Sequence, residues 1–238
     1  MAKQLDENQK FMFQKQKLEA WNEMARRIVH EIKNPLTPIR LSAERMRKLA
    51  IEENPNMNKA VITGSEMIVE EVNSLLKLVG DFNTFARMPE KKVELTNLNK
   101  LIDDTISLYN NYDNVEFKFI KDQSLPDIMI DRSLIRHALN NIINNAIHAV
   151  KENGLIAVTS GFDESGLYQT VKIRDNGPGI SPDNVLKIFE PGFTLNKNGT
   201  GLGLAIVEKI ILEHNGKVYC NSSINAGAEF VLMFPSNT

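Results

Sequence analysis

Apolar side chains recur at steps of three and four residues, or sums of these, through the first fifty positions. This spacing constrains the fold because it places the apolar positions on one face of a long helix. The positions are Leu18, Trp21, Ala25, Ile28, Ile32, Ile39, Met46 and Leu49. We predict a helix from residue 3 to about residue 50. Pro35 and Pro38 should bend it just after His30 without ending it, since each proline lacks an N–H and crowds the carbonyl four residues back.

His30 lies away from that apolar face. In a heptad count with the apolar residues at positions a and d, it falls at position f, the farthest from the seam. Glu31 stands beside it, and Asn34 follows one helical turn later on the same face as His30. A solvated surface histidine explains the position alone, and a histidine that meets a partner is the alternative.

A turn at residues 52–56 separates this helix from a second one at about residues 58–87. The predicted seam of the second helix has the same spacing: Ser65, Ile68, Val72, Leu75, Val79, Phe82 and Ala86. Two long helices joined by a short turn form an antiparallel hairpin, which buries little on its own. We therefore predict a homodimer in which two hairpins make a four-helix bundle.

Composition excludes several classes of protein. A single cysteine, Cys220, excludes an intramolecular disulfide framework and a cysteine-based zinc site, and it fits a reducing, cytoplasmic setting. A formal charge of -2 gives no general attraction to nucleic acid or anionic lipid. No apolar run approaches the roughly 20 residues that span a bilayer, so we expect no membrane contact from this stretch. Its polar helical start leads us to expect a fragment of a longer protein.

A polar break at Met88–Lys92 predicts a boundary between two domains, residues 1–88 and 89–238. A loop rich in Gly, Pro and Asn is predicted at residues 177–201. Because strands and helices do not alternate strictly in the second domain, we predict an α+β sandwich there. Its predicted helices cover residues 98–109, 132–152 and 203–214, and its strands cover residues 115–120, 128–130, 155–160, 168–174, 217–221 and 229–234.

Two local patterns in the second domain suit a nucleotide. Asn141 and Asn145 share one helix face, and amide oxygens can hold Mg²⁺ beside phosphates, although asparagines often only cap or solvate helices. Asp175 follows a strand, where its carboxylate can accept from a ligand amino group. Gly177 and Gly179 allow close approach of the backbone, and an ordinary turn is the alternative.

A third pattern, Gly199–Leu204, opens a helix. Its N–H groups lie at the positive helix end, which suits a phosphate, and a plain glycine-rich turn is the alternative. The run is not a P-loop, because no Gly-Lys-Ser/Thr follows, and it is not a Rossmann fingerprint, because no strand precedes it. Between the second and third patterns, the aromatic residues of Phe189–Thr194 should anchor a mobile lid that excludes water.

Together with the stretch Arg27–Arg45, these patterns resemble the cytoplasmic core of a two-component sensor histidine kinase, most like the NtrY-like nitrogen-regulation sensors. The resemblance covers nearly all of residues 18–238. It implies a dimerisation and phosphotransfer hairpin followed by a Bergerat-type (GHKL) ATP-binding sandwich. It also implies ATP and Mg²⁺ as cofactors and a response-regulator receiver domain as partner. The full-length protein would be anchored in the inner membrane.

By the same resemblance, His30, Glu31 and Asn34 form the catalytic group, and Asn145 is the Mg²⁺ ligand. The implied nucleotide-binding residues are Asn141, Asn145, His148, Asp175, Gly177, Gly179, Ile180, Phe189, Thr194, Lys197, Gly199, Thr200, Gly201, Leu202 and Gly203. Three positions depart from the family pattern. His148 stands where a lysine is frequent, Ala228 stands where a threonine is usual, and Lys197 is one residue out of register as the lid lysine.

The resemblance implies that His30 Nε2 attacks the γ-phosphate of ATP. Glu31 can accept the Nδ1 proton and fix the tautomer, and Asn34 can orient either the γ-phosphate or a water that hydrolyses a phosphoryl-aspartate. Arg26, Arg27 and Lys33 surround His30 with positive charge; they either favour docking of an acidic receiver domain or form a solvated face.

Three other functions compete with the kinase. A GHKL ATPase clamp needs no histidine motif and typically carries its catalytic glutamate in the nucleotide domain. Here the best acid–base pair, His30 and Glu31, lies in the hairpin, which disfavours a clamp. A dimeric scaffold that binds ATP without turnover, or a sensor dominated by phosphatase activity, would fit the departures at His148 and Ala228. We expect His137 and His214 to be structural, with a cationic His214 near a helix end.

Overall fold

The computed structural model describes residues 2–86, 90–109, 112, 114–150, 153–196 and 199–236; within residues 2–27 it describes the side chain of Arg26 alone. The chain divides into two compact units. One covers residues 1–83 with 196–200, and the other covers residues 84–195 with 201–238. The predicted limit between residues 88 and 89 lies outside the described residues and stays a prediction.

The first unit contains the long helix α1 (Ala2–Ile51) and α2 (Met57–Ala86) up to Asn83. α1 continues through Pro35 and Pro38, so the helix does not end at the prolines, as predicted. In the turn between the helices, Asn54 Oδ1 accepts from the N–H of Asn56 at 2.9 Å. Glu53 adopts a left-handed φ of 48°, which reverses the chain within a few residues.

The apolar seam predicted for α2 is partly wrong. Its buried residues are Ala60, Gly64, Leu78 and Asp81, whereas Ser65, Val72 and Val79 of the predicted seam are exposed. α2 carries two apolar stripes, and the stripe with small residues packs inside the hairpin. A Cβ on Gly64 would lie 3.1 Å from Met46 Sδ, so the missing side chain lets the helices approach closely.

The second unit contains a small two-stranded sheet, a five-stranded sheet and the helices that cover it. In chain order the elements are β1 (Glu94–Thr96), α3 (Leu98–Ile106), a 3₁₀ turn (Ser107–Tyr109), β2 (Val115–Ile120), β3 (Ile128–Ile130), α4 (Arg132–Ala149), β4 (Gly154–Phe162), β5 (Tyr168–Asp175), α5 (Pro182–Val185), α6 (Gly203–Glu213), β6 (Lys217–Ser222) and β7 (Ala228–Pro235). The sequence had not predicted β1 or α5, which are too short to show a period, and the helix predicted over residues 98–109 ends as the 3₁₀ turn.

The larger sheet has the strand order β2-β4-β5-β7-β6. β2 pairs with β4 in parallel, and the other neighbours pair antiparallel. Burial alternates along β4, as expected for a strand with one covered face. α4 and α6 each bury one apolar face, so the unit is an α+β sandwich, which confirms the predicted fold class.

No helix among the described residues is both long enough and apolar enough to cross a membrane.

Candidate functional site

In the first unit, His30 is exposed on α1, as its heptad position predicts. Asn34, one turn later, is exposed as well, while Glu31 is half-buried and Pro35 is buried. Thr37 Oγ1 donates to the carbonyl of Lys33 at 3.2 Å, an additional side-chain bond in the turn that contains the prolines. His30 and Asn34 are therefore both open to a partner on the same side of the helix.

Glu31 does not form a hydrogen bond with His30 in the part of the chain that the structure describes. Neighbouring residues in a helix point about 100° apart, so the two side chains meet only after a change of rotamer. Catalytic hydrogen bonds often form only once the reacting partner is bound. The role of Glu31 stays a prediction.

In the second unit, Asp175 ends β5 and is only 5% exposed. Its Oδ1 accepts from the backbone N–H of Gly177 at 2.8 Å and from that of Ala228 at 3.3 Å. Burial raises the pKa of this carboxyl, and the two N–H groups offset part of that rise. Because Oδ1 already accepts twice, Oδ2 is the oxygen with capacity for a ligand amino group.

Two glycines with left-handed torsions close this end of the site. Gly179 has φ of +72°, and a Cβ there would lie 1.9 Å from Ser223 O. Gly227 has φ of +77°, and a Cβ there would lie 1.9 Å from Asp175 O. Neither position tolerates a side chain, so the loop after β5 lies directly on the β6–β7 turn.

Ser222 joins the same two segments, and the sequence had given no sign of it. Its Oγ accepts from the N–H of Ile180 at 2.8 Å and donates to Gly227 O at 2.7 Å. A lone serine at a strand end has no distinguishing pattern. The contact depends on residues far apart in the chain, so only the fold reveals it.

The asparagine pattern and the glycine pattern meet where α4 passes the start of α6. Asn141 is half-buried, and a Cβ on Gly203 would lie 3.0 Å from Asn141 Oδ1. Asn145 and His148 follow on α4 and are exposed. α6 begins at Gly203 after the buried Leu202, so its first N–H groups lie beside the amide of Asn141.

The segment between the glycine patterns carries an aromatic contact, and its role as a mobile lid stays a prediction. The ring of Phe189 meets that of Phe230 edge-on, with centroids 6.4 Å apart. Gly192 N–H donates to Gly201 O at 2.9 Å, and Gly201 has φ of +67°. Between them, Thr194 is exposed, the N–H of Gly199 donates to Asn196 O at 3.0 Å, and Thr200 is half-buried. The predicted contact of Lys197 falls outside the described residues.

Asn145 suits a role in holding Mg²⁺ in one respect. It is exposed, and it offers one neutral oxygen one helical turn after Asn141, the residue that lies beside Gly203. Mg²⁺ commonly takes its remaining ligands from phosphate and water. The described residues contain no group of three or more His, Cys, Asp or Glu side chains that would hold a metal ion.

Two family descriptions match the chain. Residues 20–91 match the His Kinase A (phospho-acceptor) domain, and residues 130–238 match the histidine kinase-, DNA gyrase B- and HSP90-like ATPase. The first match contains His30, and the second contains Asn141, Asp175 and Gly203.

Among curated proteins, the nitrogen regulation protein NtrY of Azorhizobium caulinodans is 36% identical over 219 residues, which are 87% of this chain and 28% of NtrY. The chain spans less than half the length of the curated relatives it matches.

Among solved structures, the catalytic domain of the histidine kinase ThkA is 35% identical, with a TM-score of 0.56, 61% of this chain covered and 96% of that domain. ThkA in complex with the response regulator protein TrrA is 31% identical, with a TM-score of 0.75, 94% of this chain covered and 64% of that one.

Proposed function

The chain belongs to the histidine kinase family, and from that premise we propose that it is an ATP-dependent protein-histidine kinase of a two-component system. It phosphorylates its own His30 and passes the phosphoryl group to an aspartate on a response-regulator receiver domain. The observation that carries this proposal is Asp175, a buried carboxylate at a strand end, whose Oδ1 accepts from the N–H groups of Gly177 and Ala228.

The second unit offers one group that suits the base of a nucleotide and another that suits its phosphates. Asp175 Oδ2 suits an exocyclic amino group, which adenine has and which donates in its neutral form. The start of α6 beside Asn141 suits the phosphates, because its first N–H groups have no partner inside the helix. When bound, Mg²⁺ would neutralise phosphate charge, with Asn145 as its protein ligand. Gly192 and Gly201 tie the two ends of the intervening segment together.

His30 supplies the nucleophile in the first unit. Its Nε2 lone pair forms a bond to the γ-phosphorus, the bond from that phosphorus to the bridging oxygen breaks, and ADP leaves with that electron pair. The proton on Nδ1 goes to Glu31 after the rotamer change described above. Phosphoryl transfer depends mainly on positioning and charge neutralisation, so an exposed imidazole on a rigid helix is a suitable acceptor.

Asn34 gives the same helix face a second activity. Its exposed amide lies one turn from His30, where it can orient a water against a phosphoryl-aspartate on the partner. Arg26 and Lys33 are exposed near His30 and favour the approach of an acidic receiver domain, mainly through the association rate.

The active form is a homodimer. α2 exposes a second stripe with heptad spacing that the hairpin does not cover: Ile62, Val69, Val72, Leu76 and Val79. Alternating steps of three and four on an exposed helix face are the pattern that pairs with a second helix. A second copy of the hairpin covers it in a four-helix bundle.

The test is to incubate the chain with γ-labelled ATP and Mg²⁺ and to treat the labelled protein with acid or alkali. We expect label that is stable in alkali, labile in acid and absent from His30→Gln. The control is His137→Gln, which leaves the proposed acceptor in place and should keep the label.

Other outcomes contradict the kinase in distinct ways. Steady phosphate release without protein labelling would indicate an ATPase clamp. Nucleotide binding without labelling or release would indicate a scaffold. Label retained in His30→Gln would place the acceptor elsewhere.

A further inference from the structure

The last residues of α2 contact a side chain of α6 within the second unit. The boundary between the units falls between Asn83 and Thr84, so the last residues of α2 belong to the second unit. Lys209 Nζ, on α6, donates to the carbonyl of Phe85 at 2.7 Å and lies 5.4 Å from the centroid of the Phe85 ring. The last carbonyls of a helix have no partner inside it, and a cation is favoured there.

The chain is held again a few residues later. Lys91 Nζ donates to the carbonyl of Glu213, the last residue of α6, at 2.6 Å. The N–H of Lys92 donates to Asp131 Oδ2 at 2.7 Å, and Asp131 is the N-cap of α4. Lys91 and Lys92 are thus attached to the end of α6 and to the beginning of α4.

These two helices are also joined to each other at the same place. The N–H of Asp131 donates to His214 Nε2 at 3.0 Å, and His214 Nδ1 lies 2.7 Å from Ile210 O. Both contacts are satisfied by a neutral imidazole with its proton on Nδ1. The attachment points therefore form one hydrogen-bonded group on α4 and α6, which also carry Asn141 and Gly203.

We propose that Lys209 is a positioning residue for phosphoryl transfer, which acts by fixing the end of α2 on the helix that begins at the phosphate-binding glycines. The proposal rests on the proposed function, because it concerns the delivery of the nucleotide to His30. Lys209 itself lies at the opposite half of α6 from Gly203 and is not part of the nucleotide site.

The physical reason is that free motion of the reacting groups lowers the rate of phosphoryl transfer. Transfer between groups held in one geometry is faster than transfer between groups that search many orientations. Lys209 removes freedom from the last residues of α2, which belong to the same unit as α6. A chain without this contact should bind the nucleotide as well as before and deliver it less often in a reactive geometry.

The test uses the full chain with Lys209→Met and, as its matched control, Lys209→Arg. Methionine keeps an unbranched stem against Phe85 and loses the donor, whereas arginine keeps a charged donor. We expect Lys209→Met to lower the kcat of autophosphorylation roughly three- to tenfold, with unchanged KM and Kd for ATP. Lys209→Arg should recover most of that loss. Hydrogen exchange of residues 84–86 and 90–92 should accelerate in Lys209→Met alone.

Three results would overturn the proposal. The first is a kcat in Lys209→Met equal to or above that of the wild type. The second is a loss of ATP affinity in Lys209→Met as large as its loss of kcat. The third is unchanged hydrogen exchange at residues 84–86 and 90–92. If the wild type is labelled and Lys209→Met behaves like it, only this inference fails. If the wild type is never labelled, both the proposed function and this inference fail.

Discussion

Gly203 lies against Asn141, so that a Cβ at residue 203 would come within 3.0 Å of Asn141 Oδ1. This contact joins the start of α6 to the asparagines of α4. Gly203→Ala should therefore displace the amide of Asn141 and lower ATP affinity, by about tenfold if one hydrogen bond to a charged group is lost. Calorimetric titration with ATP measures the change. The melting temperature should move little, because the amide can rotate away.

Gly80→Ala is the matched control, since a Cβ there meets nothing within 4 Å. It lies inside α2, where alanine is favoured over glycine by roughly 0.5–1 kcal/mol, so it should stabilise the chain and leave ATP affinity unchanged. Equal affinities in Gly203→Ala and Gly80→Ala would show that the contact with Asn141 does not matter for binding.

The sequence predicted the members of this site and not their contacts. Asn141, Asp175 and Gly203 belong to local patterns whose chemistry can be read from neighbouring residues. The approach of Gly203 to Asn141 and the two hydrogen bonds of Ser222 depend on the packing of distant elements, which no local spacing encodes.

The seam predicted for α2 was only partly right for a related reason: Ile68 and Leu75 are half-buried, whereas Val72 and Val79 are exposed. The helix carries two apolar stripes, and periodicity shows that both exist without showing which one packs inside the hairpin. Gly64 favours the inner stripe, because a Cβ there would crowd Met46 Sδ at 3.1 Å. A cationic His214 was also expected, whereas burial lowers its pKa and its contacts suit the neutral ring.

Asp175→Asn should weaken ATP binding by roughly 10- to 100-fold, because an amide nitrogen placed toward the base cannot accept from an amino group. Burial raises the pKa of Asp175, so the wild-type carboxyl takes up its proton at a higher pH than usual. ATP affinity should then fall as the pH drops through that raised pKa. Subtracting the profile of Asp175→Asn removes the titration of the nucleotide itself.

The raised pKa of Asp175 has the opposite effect on the stability of the nucleotide-free chain, which should fall as the pH rises. A carboxyl with a raised folded pKa contributes stability below its unfolded pKa, about 3.9, and loses it as the pH rises through the folded value. Asp175→Asn carries no charge and should be at least as stable as the wild type at pH 7 in urea unfolding. A clear loss of stability would mean that the carboxylate serves the fold rather than the ligand.

His214→Ala should destabilise the second unit by about 1–3 kcal/mol, because the buried N–H of Asp131 loses its acceptor. The pKa of His214 is lowered mainly by burial and further by Lys91, while the hydrogen bond with Ile210 O and the charges of Asp131 and Glu213 oppose the shift. The stabilising effect of His214 is therefore complete above the unfolded pKa of about 6.5 and is lost as the pH falls through the folded pKa.

Urea unfolding at a series of pH values measures how steeply the free energy of unfolding depends on pH. His214→Gln is the control, since an amide can both donate and accept, and it should lack the extra slope.

Charging the exposed stripe of α2 should separate the proposed dimer. Val69 and Leu76 are 60% and 66% exposed, and they lie on the face that a second hairpin would cover. Val69→Lys and Leu76→Lys together should give a monomer by light scattering at micromolar concentration, since burying two unpaired charges costs several kcal/mol. Leu186→Lys is the control, because Leu186 is 84% exposed in the second unit and outside the stripe. If the wild type is already a monomer at every concentration, or if the double variant remains a dimer, the stripe is not the dimer interface.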